Sequence, residues 1–296
     1  MVENGELETW AKALEASGDY RVLRKLEPLP PAPPPLPDGA RTGLILDVET
    51  TGLDHERSQV IELAMVKFAY SSSDEVLGLV DRFQSFRDPG EPLDAQISAI
   101  TGITNEMVRG QAIGLEAMRT FIAPAAVVIA HNAAFDRQFA EKLCQDYAEK
   151  PWACSMSEPP WSDEGLEGRA LPYLAMQAGF FYEKHRAMND CLAVLELLRR
   201  PLPVSGRTGL AAMLEETRTP RWRLWAHTPY ELRETLKARG YRWSSGEGAK
   251  PRAWYIDVTD ALLENELAFL HGEIGVEAGD LIQRRVTARE RYSNRV

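Results

Sequence analysis

Between residues 42 and 200, apolar and polar positions switch repeatedly between the short period of strands and the longer period of helices. The short-period segments are rich in aliphatic residues, and the short links between the first three favour an antiparallel meander. The predicted strands are Leu44–Glu49, Gln59–Ala69, Leu77–Phe86 and Val127–Ala130. The first of them ends before Gly52, since glycine breaks a strand pattern.

The segments with a helical period repeat their apolar residues every three or four positions. Helices are predicted at Leu115–Ile122, Phe135–Tyr147, Leu171–Ala178 and Asp190–Arg199. A further segment, Ile97–Val108, has Ser98 and Thr104 as candidate helix caps. Strands mixed with helices in this way predict an α/β or α+β layered domain.

The flanking segments have different patterns. Residues 6–26 contain two apolar sets at helical spacing, which predicts two short amphipathic helices. Residues 28–37 are mostly proline and predict an extended spacer, although their PxxP spacings would also suit a protein partner. Proline, glycine and threonine near residue 201 predict a second linker. The predicted organisation is an N-terminal helical segment (1–27), a Pro-rich linker (28–41), an α/β domain (42–200), a linker (201–220) and a small C-terminal domain (221–296).

The C-terminal region has its own charge and its own pattern. Residues 221–296 contain 13 Lys and Arg against 11 Asp and Glu, whereas the rest of the chain contains 21 against 33. We expect a small α+β domain there, with an irregular basic end and a Gly-rich turn between its two strands. Its predicted elements are a helix at Pro229–Arg239, strands at Tyr241–Ser244 and Ala253–Val258, and a helix at Asp260–Gly272.

Composition limits the classes of protein to consider. The chain has 296 residues, of which 44% are hydrophobic and 26% charged, as in ordinary globular proteins. No apolar run reaches the ~18 residues of a membrane span, and the acidic start does not suit a signal peptide. Three cysteines without metal-type spacing predict reduced thiols in a cytoplasmic protein. A net charge of −10 argues against non-specific coating of nucleic acid.

Two acids stand at the end of the first strand. Asp47 and Glu49 are two positions apart, so both carboxylates project from the same face of the strand. Close carboxylates repel each other, and burial makes the repulsion worse unless a cation offsets it. A hard divalent ion, Mg²⁺ or Mn²⁺, would do so. The alternative for this pair alone is the polar end of a strand that runs into solvent.

Three further side chains occupy similar positions along the chain. Asp136 follows a buried strand in the first turn of a helix, and Asp190 lies at the mouth of another helix, five residues after His185. Each acid taken singly could be a helix cap. Together with Asp47 and Glu49 they make four carboxylates at strand ends and helix starts, which suits two divalent cations that clamp a phosphodiester. A nearby histidine could take the proton from the attacking water.

Three segments in order resemble the three motifs of the DEDDh 3′–5′ exonucleases, the DnaQ-like family that includes the proofreading subunit of the bacterial replicative polymerase. The similarity covers about residues 42–199, and no acid of the motifs is missing. The segment Ile100–Thr104 also resembles the family's loop between the first two motifs. The three matching segments are Leu46-Asp47-Val48-Glu49-Thr50-Thr51-Gly52-Leu53, Ala130-His131-Asn132-Ala133-Ala134-Phe135-Asp136 and His185-Arg186-Ala187-Met188-Asn189-Asp190.

The resemblance implies a ribonuclease H-like fold, with a central mixed sheet flanked by helices, and release of nucleoside 5′-monophosphates from 3′ ends. It implies that Asp47, Glu49 and Asp190 share the first of two metal ions, that Asp47 also reaches the second, and that Asp136 assists the second through water. His185 would be the general base. The implied substrate-binding residues are Thr50, Thr51 and Leu53, with Asn132 and Phe135 lining the path of the strand.

More than one prediction is possible for the kind of substrate and for the function of the tail, residues 221–296. We expect single-stranded DNA as substrate, with an exoribonuclease or a non-catalytic nucleic-acid-binding adaptor as alternatives. Aromatic and basic residues alternate in the tail, a pattern that suits stacking on bases and pairing with phosphates, although a small structural core or a protein-docking surface would also use them. The segment Leu236–Trp243 followed by Ala253-Trp254-Tyr255 resembles a small C-terminal module of some bacterial members. The candidate contacts in the tail are Trp225, Arg239, Arg242, Trp243 and Trp254.

Overall fold

The computed structural model describes residues 4–27, 29–246 and 250–296. Pro28, the first position of the predicted Pro-rich linker, lies outside these residues, as do Met1–Glu3 of the N-terminal segment and Glu247–Ala249 of the Gly-rich turn. Along the first part of the chain the elements are α1 (Asn4–Ala16), β1 (Arg24–Lys25), β2 (Arg41–Thr50), β3 (Val60–Tyr70), β4 (Val76–Phe86), α2 (Ala95–Thr101), α3 (Asn105–Val108), α4 (Leu115–Ile122), β5 (Val127–Ala130), α5 (Ala133–Leu143), β6 (Trp152–Cys154), α6 (Leu171–Gln177), β7 (Phe180–Phe181), α7 (Ala187–Arg199) and α8 (Gly209–Arg218).

The central sheet has five strands in the order β4-β3-β2-β5-β6. The β2–β3 and β3–β4 pairs are antiparallel, which confirms the predicted meander, while β2–β5 and β5–β6 are parallel. Strand β6 was not predicted, since its three residues are too few to show a period.

Both faces of this sheet are covered by helices. On one face, Ile45 and Val66 pack against α6, α7 and α8, and on the other Leu44 and Met65 pack against α4 and α5. Successive side chains of a strand point to opposite faces, so the apolar run of β2 supplies both cores. The predicted ribonuclease H-like class, a mixed sheet flanked by helices, is confirmed.

Three predictions outside the sheet are wrong. The second N-terminal helix is absent, because the backbone around Arg24 pairs with β7 instead. The predicted linker at 201–220 contains α8, which is capped by Thr208 and buries Leu210 and Leu214. Ser98 lies inside α2, whose N-cap is Asp94. The prolines and threonines of the linker hid the helical period of the residues between them.

The Pro-rich segment is not a free spacer. Leu79 of β4 donates its N–H to the carbonyl of Pro30 and accepts a hydrogen bond from the N–H of Ala32 at 2.7 Å. A side chain at Gly78 would lie 2.7 Å from the Ala32 nitrogen, so the close approach requires glycine. The few N–H groups of the segment are enough to attach it to the outer edge of β4.

The C-terminal region forms a second sheet. Its elements are β8 (Arg221–Ala226), α9 (Arg233–Ala238), β9 (Arg242–Trp243), β10 (Trp254–Val258), α10 (Asp260–Gly272) and β11 (Leu281–Val286), and the antiparallel strand order is β11-β8-β10-β9. Helices α9 and α10 pack on one face, around Leu224, Leu236 and Leu270. The predicted irregular end is wrong in part, because β11 pairs with β8 along six residues.

After β11 the chain returns to the first sheet, and we call residues 287–296 the C-terminal strap. The N–H of Trp152 in β6 donates to the carbonyl of Ala288. The fully buried Arg137 of α5 donates to the carbonyls of Arg289 and Arg291 at 2.7 and 2.6 Å. The two sheets are therefore joined by buried polar contacts, and the domain boundaries remain a prediction.

Two global features bear on the composition arguments. Cys144, Cys154 and Cys191 are all buried and unpaired with one another. Within the described ranges, none of the helices combines the length and the apolar character that a membrane crossing requires.

Candidate active site

The first candidate metal ligands come together at the end of β2. Asp47 and Glu49 project from one face of the strand, and Asp190 reaches them from the first turn of α7. One carboxylate oxygen from each of the three lies within 4.8 Å of the others. Helix α7 is held there because it packs its apolar side, with Cys191 among it, on β2 and β3.

Asp136 approaches the same strand from the other side. It lies in the first turn of α5, is only 2% exposed, and its Oδ1 accepts a hydrogen bond from the N–H of Val48 at 3.2 Å. Val48 separates Asp47 from Glu49 in the sequence, so the fourth acid stands beside the pair. It is not one of the three acids whose oxygens lie within 4.8 Å of each other.

The four acids are held in an environment that opposes their charge. Burial first, and repulsion from Asp136 and Asp190 next, raises the pKa of Asp47 well above its usual range. Burial raises the pKa of Asp136 to about 8, and burial together with the charge of Asp190 raises the pKa of Glu49 to about 7. Burial also raises the pKa of Asp190. Raised pKa values at all four acids indicate that their negative charges lack a compensating positive charge.

Two neighbours fix the orientation of Asp190. The hydroxyl of Tyr182 donates to its Oδ1 at 2.9 Å, and the N–H of Arg186 donates to its Oδ2 at 3.1 Å. His185 precedes Arg186 in an exposed turn, with φ at 62°, in the left-handed region that a residue with a side chain adopts at a cost. Its positive charge would lower the pKa of Asp190, which lies five residues further along the chain.

A fifth acid was missed by the sequence analysis. Glu62 of β3 is fully buried and stands opposite Glu49 in the β2–β3 register. Its carboxylate accepts from the N–H of Ala187, at 3.3 Å, and forms an ion pair with Arg186 at 3.6 Å. It therefore fixes the start of α7. The signal was in the sequence, as a single acid in the apolar run of β3.

The substrate-binding candidates after β2 form a tight turn. The hydroxyl of Thr50 donates to the carbonyl of Gly52, and the hydroxyl of Thr51 accepts from the N–H of Gln59. Leu53, at the tip, is 85% exposed. The threonine side chains hold the turn, and the apolar side chain of Leu53 is free to contact a ligand.

The candidates before α5 have different surroundings. Asn132 is exposed, with φ at 96°, and Phe135 is half-buried against Phe139 at 4.9 Å between ring centroids. His131, which was not among the predicted site residues, bonds to the Ser155 hydroxyl and the Arg169 carbonyl. The backbone of Asn132 is strained at the entrance to the helix that carries Asp136.

The tail candidates fall on both faces of the second sheet. Trp254 packs in the core, and Arg239 pairs with Glu266 of α10 at 2.9 Å, so both are structural. Trp225 is 3% exposed, whereas Trp243 is 50% exposed and Arg242 is exposed beside it. The spacing of aromatic and basic residues could not separate the two faces, because the strands were only partly predicted.

Comparison with known proteins gives the family. A family model described as "Exonuclease" matches residues 44–198, which is more than half of the chain and includes all four acids and His185. The chain belongs to the exonuclease family. The identification from three motifs is thereby confirmed for the exonuclease domain. The tail lies beyond the matched residues, and its likeness to a bacterial C-terminal module remains a prediction.

The exonuclease domain also has curated relatives and distant structural neighbours. It is 42% identical over 164 residues to "DNA polymerase III PolC-type" of Halalkalibacterium halodurans, a match that covers 53% of this chain and 11% of that protein. The chain thus spans about a tenth of the length of the curated relatives it matches.

Two solved structures are similar over a larger part of the chain. E. coli exonuclease I in complex with an oligonucleotide is 15% identical with a TM-score of 0.48, and the match covers 81% of this chain and 69% of that one. Exonuclease I from Methylocaldum szegediense is 16% identical with a TM-score of 0.49, with 74% and 63% covered. Likenesses this distant support no further conclusion about this chain.

Proposed function

We propose that this protein is a metal-dependent 3′–5′ exonuclease that releases nucleoside 5′-monophosphates from single-stranded DNA. The observation that carries the proposal is the convergence of Asp47, Glu49 and Asp190, with oxygens within 4.8 Å of each other, inside a domain of the exonuclease family. Metal-dependent action on nucleic acid is what such a cluster suits.

The acids fit divalent cations. Carboxylate oxygens are the ligands that Mg²⁺ and Mn²⁺ prefer, and the raised pKa values of Asp47 and Asp136 mark negative charge that a cation would offset. Asp47, Glu49 and Asp190 would hold one ion, with Asp47 reaching a second and Asp136 assisting it through water. When bound, such ions would supply the positive charge that phosphodiester cleavage requires at the attacking and leaving oxygens.

The remaining steps belong to side chains of the chain itself. His185 takes the proton from the attacking water, for which its exposed position beside Asp190 is suited. The turn of Thr50 and Thr51 receives the terminal nucleotide, and the exposed Leu53 contacts its base. Asn132 and Phe135, at the start of α5, line the path of the strand.

DNA is the favoured substrate because the curated relatives of the domain are named DNA polymerases. The acids do not contact the sugar in this scheme, so an exoribonuclease would use the same site. An adaptor that binds nucleic acid without cleaving it is the other alternative, and the complete set of acids weighs against it.

The test uses single-stranded DNA and RNA of one sequence, labelled at the 3′ or the 5′ end, with Mg²⁺, Mn²⁺ or EDTA. We expect metal-dependent loss of mononucleotides from the 3′ end, faster on DNA. Asp47→Asn is the matched control, because it keeps the shape of the side chain and removes its charge. Full activity of this variant, or no cleavage of either strand by the natural protein, would contradict the proposal.

A further inference from the structure

A cleft separates the second sheet from the exonuclease domain. Its main cavity has a volume of about 650 Å³, with Ala134, Gln138 and Arg169 on the exonuclease side and Arg223, Arg242 and Tyr255 on the other. A neighbouring cavity of about 500 Å³ shares Arg223 and Tyr255 and extends between the His55–Glu56 loop and Trp243. The two cavities therefore form one continuous groove.

The groove is lined by the sheet face that carries no helix. In the strand register Trp225 stands beside Tyr255, which stands beside Arg242, so the three share this face. The guanidinium groups of Arg223 and Arg242 lie 4.8 and 4.9 Å from the ring centre of Tyr255. Planar aromatic and guanidinium groups are thus stacked along the groove, where bases could continue the stack.

The charge of this face is positive. Asp257 is the acid between the two arginines, and it pairs with Arg223 at 2.6 Å and with Arg242 at 3.2 Å. One carboxylate for two guanidinium groups leaves a net positive charge beside Tyr255. The groove as a whole is lined by nearly as many acids as bases, so the positive charge lies on this sheet face. A phosphate backbone is therefore favoured along the sheet side of the groove.

Two walls of the groove belong to segments that also carry residues of the candidate active site. Its exonuclease wall includes Ala134 and Gln138 of α5, the helix whose first turn holds Asp136. The loop with His55 and Glu56 follows the turn of Thr50 to Leu53. A strand whose 3′ end occupies the acids would pass along these two walls into the groove.

We propose that this groove binds the part of a single-stranded nucleic acid that lies upstream of the scissile nucleotide, with Arg242 and Tyr255 as its contacts. The inference rests on the proposed function and extends it, because it gives the second sheet the role of binding the additional nucleotides of longer substrates. Short substrates would contact the acids alone, whereas longer ones would also contact the groove. Trp243 and Trp254 are register partners on the opposite face, with ring centroids 5.5 Å apart, and they take no part. Arg239, which pairs with Glu266 of α10, takes no part either.

The test compares oligothymidylates of about 4 and about 16 nucleotides, bound to the full chain in EDTA so that nothing is cleaved. For Arg242→Gln/Tyr255→Ala we expect about tenfold weaker binding of the long strand and less than a twofold change for the short one. Arg242→Gln alone should reduce the salt slope of long-strand binding by ~0.7.

The matched control is Arg233→Gln/Tyr230→Ala on the helix-covered side, where Arg233 stacks on the exposed Tyr230 at 4.2 Å. It should bind both lengths like the natural chain. Equal weakening by the control pair, or unchanged long-strand binding in both Arg242 variants, would overturn the inference and leave the face to a protein partner. Binding is measured without cleavage, so an inactive protein would contradict the proposed function without affecting this result.

Discussion

Asp190 is the acid whose orientation depends most on its neighbours, since Tyr182 and Arg186 hold one oxygen each. The hydroxyl of Tyr182 aims the carboxylate at Asp47 and Glu49 without belonging to that group. Such outer partners fix ligand geometry and contribute to metal affinity.

Replacing Tyr182 with Phe should therefore weaken apparent Mg²⁺ affinity about tenfold while kcat at saturating Mg²⁺ changes little. A titration of activity against metal concentration separates the two quantities. An equal fall of kcat at every metal concentration would show that the hydroxyl acts on the reaction and not on metal binding.

His185→Ala should reduce kcat by ~10²–10⁴ while substrate binding is largely kept, because the imidazole is proposed to accept a proton and the turn around it is held by Glu62. Binding of labelled DNA in EDTA, beside single-turnover cleavage in Mg²⁺, measures both. Loss of binding with normal cleavage of bound DNA would assign the ring to substrate contact.

At the scale of elements, β5, β6 and the loop before α6 are joined by His131. The Arg169 carbonyl can only accept, so Nε2–H donates to it at 2.8 Å and the neutral ring accepts from the Ser155 hydroxyl at 3.0 Å. Burial lowers the pKa of His131 to about 4.

This gives a pH dependence of stability whose sign can be stated. The folded pKa lies below the ~6.5 of an unfolded histidine, so the stabilisation is complete above pH ~6.5 and is lost as the pH falls towards ~4. We expect the natural chain to lose about 2 to 3 kcal/mol more than His131→Asn between those limits. Urea unfolding at several pH values measures the difference, and parallel curves for the two chains would contradict it.

The same scale shows what could be predicted. The end of β2 and the starts of α5 and α7 could be predicted from the sequence, because each combines an apolar run with an acid. This pattern identified the positions of Asp47, Glu49, Asp136 and Asp190. Helix α8 was not visible, since Thr208 and the nearby prolines dominate its composition. Strand β8 was missed because its alternating arginines and tryptophans pack on two different surfaces.

For the whole molecule, the C-terminal strap connects the tail to the exonuclease domain, so a deletion of the tail from Arg221 onward would disturb that domain as well. Arg137 is fully buried, and two of its three guanidinium contacts are strap carbonyls. Arg291 of the strap is itself buried and pairs with Glu158 at 3.2 Å.

Deleting residues 287–296 should therefore lower the free energy of unfolding by about 3 to 5 kcal/mol, the cost of removing two of the three hydrogen-bond acceptors of a buried charge. Arg137→Met in the shortened chain should recover part of the loss, since an apolar side chain of similar length needs no acceptor. Both effects are measured by chemical denaturation of the natural chain and the shortened chain, each with Arg137 and with Met at that position. No recovery would mean that lost packing, and not the unpaired guanidinium, causes the instability.

The Pro-rich segment and the strap have one more consequence in common. The first covers the outer edge of β4 through Pro30 and Ala32, and the second covers β6 through Ala288. An open sheet edge offers unpaired N–H and C=O groups to any other extended chain. Segments that precede and follow the central sheet thus occupy part of each of its two edges, so a proteolytic cut in either one would expose backbone groups with which another extended chain could pair.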